Sequence, residues 1–231
     1  MQAEKKRLFL ILIIGILVCA AIAFFVARSR PVAVPDRSVL NGKSELQSAY
    51  DQAREYTGKI SKNPQEVVNY VVAGNAWKLI ADSVREPVWY RLSLEVYDQG
   101  IAATQSKNSL LLTNAGQIAE ELGEFDKAKK YYQISIDLAP GDANYHLLYI
   151  KLLKNKYHAS EQEVLRAYDI AMSRVVGGAD LVSSRLQYLK SIGRYQDAID
   201  DLELLYKNKI ITSEQYAGEH AEIEQLKSTH K

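Results

Sequence analysis

The side chains able to do chemistry are few and scattered. His146, His158, His220 and His230 are the only histidines, and none forms a recognisable i, i+4 zinc motif with a second ligand. Cys19 is the single cysteine, so no intrachain disulfide can form and no thiolate is available beyond residue 19. Glu120-Glu121 and Asp200-Asp201 are adjacent acids; neighbours on a helix point in different directions, so neither pair makes an acid/base dyad. There is no Gly-x-Ser-x-Gly elbow and no Walker-type loop, and Gly177-Gly178 reads as a turn between helices. The chain is therefore expected not to be an enzyme and to need no metal or cofactor. What chemistry it has must come from binding.

The element that most limits such binding is at the N-terminus. Residues 8–27 contain no charge, Lys5, Lys6 and Arg7 precede them, and Arg28 and Arg30 follow. As a helix, twenty residues span about 30 Å, the thickness of a bilayer core. Two readings compete. A cleaved signal peptide would be cut near Ala21-Ile22-Ala23, but Phe24, Phe25 and Val26 carry the apolar run past that point and favour a retained anchor. Cys19 lacks the small residue before it and the polar tether after it that a lipoprotein needs. Lys5, Lys6 and Arg7 balance Arg28, Arg30 and Arg37; the free N-terminal amine tips the count towards an N-terminus inside and a repeat domain outside the cytoplasm.

Charge divides along the same line. Residues 1–43 hold seven Lys/Arg and two Asp/Glu, a net +5, which leaves 22 basic and 26 acidic residues, a net −4, for 44–231. A mildly acidic domain has no electrostatic footprint for nucleic acid. Pro31, Pro35 and Gly42 make 28–43 an extended linker behind the basic flank 1–7 and the anchor 8–27.

From residue 44 onward apolar residues recur at three- and four-residue steps between short polar breaks, which predicts packed helical hairpins. The chain also repeats itself. Trp77, Ala81, Ser93, Tyr97 and Gly100 each stand 35 residues before Leu112, Gly116, Ala128, Tyr132 and Ser135. Tyr132 and Ser135 precede Tyr168 and Ala171 by 36, and those precede Leu202 and Leu205 by 34. Gly123-Glu124-Phe125-Asp126-Lys127-Ala128 returns 70 residues later as Gly193-Arg194-Tyr195-Gln196-Asp197-Ala198. Ser44 is expected to cap a first helix, Asn63 a second that continues towards Ala81 with Gly74 as a break, and Ser213 a last one reaching about Lys227.

A period near 34 with Gly116, Gly123, Phe125, Ala128, Tyr132 and Pro140 in this order resembles the tetratricopeptide repeat (TPR). Gly116 and Ala128 would let two helices approach, Gly123 would make the turn, Phe125 and Tyr132 would fill the space between hairpins, and Pro140 would end the second helix. The resemblance is strongest over 109–141 and 178–209, moderate over 74–107, and weakest over 143–174, where the turn 155–160 is enlarged. It implies an all-α, TPR-like solenoid over 74–209, an N-terminal cap or degenerate repeat over 44–73, and a polar capping helix and tail over 210–231.

In this family the first helix of each hairpin lines a groove. Carried over, the groove positions are Asn75, Lys78, Asp82 and Arg85, then Leu110, Thr113, Gln117 and Glu120, then Asn144, Leu147, Lys151 and Lys154. Lys78, Asp82, Arg85, Thr113, Gln117 and Lys151 are the partner-binding candidates. The clamp with which chaperone-binding members hold a C-terminal carboxylate is not matched: Asp82 and Thr113 stand where asparagines are required. The layout is similar to that of bacterial envelope assembly factors, which implies a scaffold or adaptor holding a protein or peptide at the membrane surface. Two alternatives stay open: an import receptor with cytosolic repeats, and a non-catalytic subunit of a membrane enzyme.

Overall fold

The computed structural model describes residues 31–229. The candidate span 8–27 lies outside them. Among the described residues no helix is long and apolar enough to cross a membrane. The chain divides into two units, 1–39 and 40–231. In the first, residues 31–36 have no regular structure.

The second unit is all-α. Among the described residues its ten α-helices are α1 (Ser44–Lys62), α2 (Val67–Val84), α3 (Pro87–Ala103), α4 (Ser109–Glu121), α5 (Phe125–Leu138), α6 (Ala143–Asn155), α7 (Glu161–Arg174), α8 (Ala179–Ser191), α9 (Tyr195–Lys207) and α10 (Ser213–Thr229). No strand occurs among the described residues. Each helix packs on the next, so α2/α3, α4/α5, α6/α7 and α8/α9 form four successive hairpins, with α1 before them and α10 after them.

Local chemistry fixes the ends. Pro87 opens α3 two residues after Arg85, which closes α2 in a left-handed conformation at φ 62°. Asn108 accepts a hydrogen bond from the Leu111 amide at 3.0 Å at the start of α4. Ser160 and Glu163 form a reciprocal capping box at the start of α7. The hexapeptide that recurs at 70 residues makes the same turn twice. Gly123 (φ 72°) and Gly193 (φ 75°) occupy the left-handed region. The amide of Glu124 bonds the Ala119 carbonyl at 2.8 Å, and that of Arg194 bonds the Leu189 carbonyl at 2.9 Å.

Four expectations about helix ends need correction. α1 is capped at Lys43, not Ser44. Asn63 closes α1 instead of opening α2, because its amide bonds the Lys59 carbonyl. α2 runs through Gly74 without a break. α10 is opened by Thr212, whose hydroxyl accepts from the Gln215 amide at 3.2 Å while the Gln215 side chain accepts from the Thr212 amide at 2.9 Å.

The core runs the length of the unit. Tyr50, Trp77 and Trp89 pack α1 to α2 and α3, with the two indoles stacked at 5.7 Å. Tyr132, Ala119, Ala128 and Leu152 join α4, α5 and α6. Val164, Tyr168 and Leu181 join α7 to α8, and Leu186, Leu202 and Ile223 bring α10 onto α8 and α9. Gly116 and Ala128 are both buried, and the atoms nearest the space above Gly116 are those of the Tyr132 ring. In the first hairpin the residue in this place is Gly74, under Tyr97, and not Ala81.

Candidate functional site

The first helices form one layer. α2 packs on α4 and α6 on α8, and the Tyr145 hydroxyl on α6 donates to Ser109 Oγ on α4 at 2.8 Å. The second helices α3 and α5 meet through long side chains: Lys127 pairs with Asp98 at 2.7 Å, and Tyr131 donates to the same carboxylate.

Buried tyrosines carry their hydroxyls into the first-helix layer. Tyr97, Tyr132 and Tyr168 are all fully enclosed. Tyr132 donates to Glu120 and Tyr168 donates to the Ser184 carbonyl at 3.1 Å. Tyr97 donates to Asn75 Oδ1 at 2.8 Å and accepts from Asn114 Nδ2 at 3.3 Å. Burial, chiefly, raises the phenol pKa of all three above the usual tyrosine value, so these hydroxyls stay protonated donors.

The consequence falls on the two asparagines. Each amide has one end tied to Tyr97, so its orientation is fixed. Asn75 keeps Nδ2 as a donor and Asn114 keeps Oδ1 as an acceptor. Asn75 is exposed and Asn114 half-buried. One oriented donor beside one oriented acceptor is the complement of a peptide group. Asn75 was among the groove positions from the sequence; Asn114 was not, although it lies 17 residues beyond Tyr97.

The six candidates fare differently. Lys78 pairs with Asp82 at 2.5 Å, and Asp82 also accepts from the Tyr90 hydroxyl at 2.9 Å. Burial works against the Asp82 charge, but hydrogen bonds from Lys78 and Tyr90 outweigh it and hold the carboxyl below its ordinary pKa. Arg85, at the end of α2, reaches the same Tyr90 hydroxyl at 3.5 Å. These three residues thus form one linked polar patch. Gln117 is half-buried and Lys151 exposed on their first helices. Thr113 is a correction: it is 5% exposed, and its hydroxyl donates to the Ser109 carbonyl at 2.9 Å, so it offers nothing to a partner. Of the other groove positions, Lys154 sets its ammonium 5.0 Å over the Tyr188 ring, and burial lowers its pKa.

Among the described residues no group of three or more His, Cys, Asp or Glu could hold a metal ion. His146 is buried, with Nε2 2.9 Å from the Pro140 carbonyl, where it ties the start of α6 to the preceding loop. Leu110, Val68 and Leu79 add apolar surface to the first helices at 49%, 51% and 41% exposure. The layer therefore offers oriented amides, a charged patch and exposed aliphatic side chains. No family model matches the chain, and no curated protein matches it.

Proposed function

We propose that the chain is a membrane-tethered, TPR-like scaffold or adaptor. Residues 8–27 anchor it, 28–43 hold the helical unit off the bilayer, and the first-helix layer binds a protein or peptide segment outside the cytoplasm. The observation that carries the reading is Tyr97 binding one end of Asn75 and one of Asn114, which leaves Asn75 Nδ2 as a donor and Asn114 Oδ1 as an acceptor without a hydrogen bond among the described residues. In this reading Lys78, Asp82 and Arg85 on α2, Gln117 on α4 and Lys151 on α6 add charge and amide groups to the binding layer. Tethering raises the local concentration at the membrane, so a modest groove suffices. The uncharged run of residues 8–27 with its basic flanks supports the tether. Assembly of an envelope complex is the process that this layout fits.

The tether is tested by alkaline carbonate washing of membranes containing the full chain. It should stay in the pellet with its N-terminus intact; a soluble form beginning near residue 24 would refute the anchor. The groove is tested by crosslinking in native membranes followed by mass spectrometry, using the full chain and the Asn75→Ala, Asn114→Ala double variant. Capture of the same partner should fall on the order of tenfold, about 1.4 kcal/mol, with helicity unchanged. Equal capture by the two forms would remove the asparagines from the site.

A further inference from the structure

A second surface lies on the opposite layer. Between α5 and α7 a cleft of about 490 Å³ opens over α6. Its floor is Ile136, Leu153 and Ala167, all buried, and Ile170 stands in it at 42% exposure. Arg166 and Arg174 flank Ile170 on α7, four residues to either side, so their backbone positions lie eight residues, about 12 Å, apart along the helix. Neither makes an ion pair among the described residues. Glu161 and Asp169 lie beside Arg166 in a neighbouring pocket, with Asp169 held by Arg185, and neither pairs with it. Glu163 is occupied by the Ser160 amide and hydroxyl at 3.0 and 3.1 Å and feels Lys129 across the cleft, which leaves Asp137 as the one uncommitted carboxylate of the lining.

We propose that this cleft docks an acidic amphipathic segment of a partner protein, with an apolar side chain seated beside Ile170 and a carboxylate on each of Arg166 and Arg174. An apolar floor between two unpaired, exposed arginines, with Lys129 on the facing helix, is complementary to that pattern and disfavours its basic counterpart. Two guanidinium groups spaced by eight helical residues fit carboxylates spaced equally on an incoming helix, which lies between α5 and α7 as α6 does beneath them. The cleft is built from α5, α6 and α7, so the proposal stands apart from the first-helix groove and survives its failure.

The test is selection of a phage-displayed library of random peptides on the full chain in detergent micelles. The enriched peptides should carry an apolar residue between two acids. Their binding should weaken on the order of tenfold on Arg166→Glu, Arg174→Glu and on Ile170→Asp, and stay unchanged on Arg194→Glu, with circular dichroism of every variant matching the parent. Peptides with lysine in place of the two acids should regain binding to the charge-reversed chain. Absence of enrichment, enrichment of basic or neutral peptides, or binding blind to Arg166 and Arg174 overturns the proposal. Self-association of the chain that Ile170→Asp abolishes also overturns it, because the occupant is then a second copy.

Discussion

Gly116 lies directly beneath the ring of Tyr132: a Cβ added at Gly116 would come within 2.5 Å of Tyr132 Cε1. Gly74 stands in the same relation to Tyr97, at 2.5 Å from Cζ. The two rings are fully buried and cannot swing away. Helix packing and the placement of the tyrosine hydroxyls therefore depend on the same missing methyl group.

Gly116→Ala should destabilise the domain. Overpacking a closed contact costs about 1–3 kcal/mol, which exceeds the gain of up to about 1 kcal/mol that alanine brings to a helix. Gly58→Ala on α1, where nothing lies within 4 Å, should instead stabilise by about 0.5–1 kcal/mol. Urea unfolding of both variants checks the pair; a stabilised Gly116→Ala would mean that the ring does not sit there. Ala128→Leu, at a fully buried position, should also cost about 1–3 kcal/mol.

Arg185 on α8 holds the second helices on either side of it. Its guanidinium bonds both oxygens of Asp201 on α9, at 2.6 and 2.9 Å, and Asp169 on α7 at 2.8 Å. Asp201 is 1% exposed. Arg185→Met should cost about 3 kcal/mol, the lower end for a broken buried pair because the arginine itself is partly exposed. Adding Asp201→Leu should recover part of that loss. Additive losses in the double variant would show that the two residues do not interact.

Alkali should unfold the domain through its tyrosines. Tyr97, Tyr132 and Tyr168 have folded pKa values raised, chiefly by burial, above the unfolded value of about 10. Their contribution is complete below about pH 10 and is lost as pH rises further, since the unfolded chain releases protons first. Tyrosinate absorbance should therefore have a late phase that coincides with loss of helicity. Complete ionisation before any loss of helicity would contradict the buried ladder.

Loss of one lysine should loosen the last helix before the others. Lys190 on α8 reaches Glu219 and Glu222 on α10 at 2.6 and 2.7 Å, and α10 buries only Ile223. Burial opposes the Lys190 charge, but the bonds to the two carboxylates outweigh it and raise its pKa. Lys190→Met should raise amide exchange across α10 and leave that of α4 and α5 unchanged. Equal protection in the variant would mean that Ile223, with Tyr216 against Tyr206 and Gln187 on Glu219, holds the lid without Lys190.

The turns at Gly123 and Gly193 were legible in the sequence because a left-handed glycine followed by a fresh helix is a local requirement, and the same six-residue pattern met it twice. The tyrosine ladder was legible for the same reason at spacings of 35 and 36. Fixed spacing failed where an element changes length: α2 has 18 residues against 13 in α4, so Ala81 is aligned with Gly116 while Gly74 does its packing. Thr113 failed because a groove position carried over by count takes no account of which side of α4 is buried. The α5–α7 cleft had no sequence signal, since Arg166, Ile170 and Arg174 look like any solvated helix face until the gap beside them is known.

Site-specific photo-crosslinking in native membranes reads the binding face most directly. A photoreactive residue replaces Asn75, Gln117 or Lys151 on the first helices, or Gln99 or Lys130 on the second, one at a time in the full chain. A partner held by the first-helix layer should crosslink from all three first-helix positions, giving the same product each time. Products from Gln99 or Lys130 with none from Asn75, Gln117 and Lys151 would contradict it and place binding on the other layer.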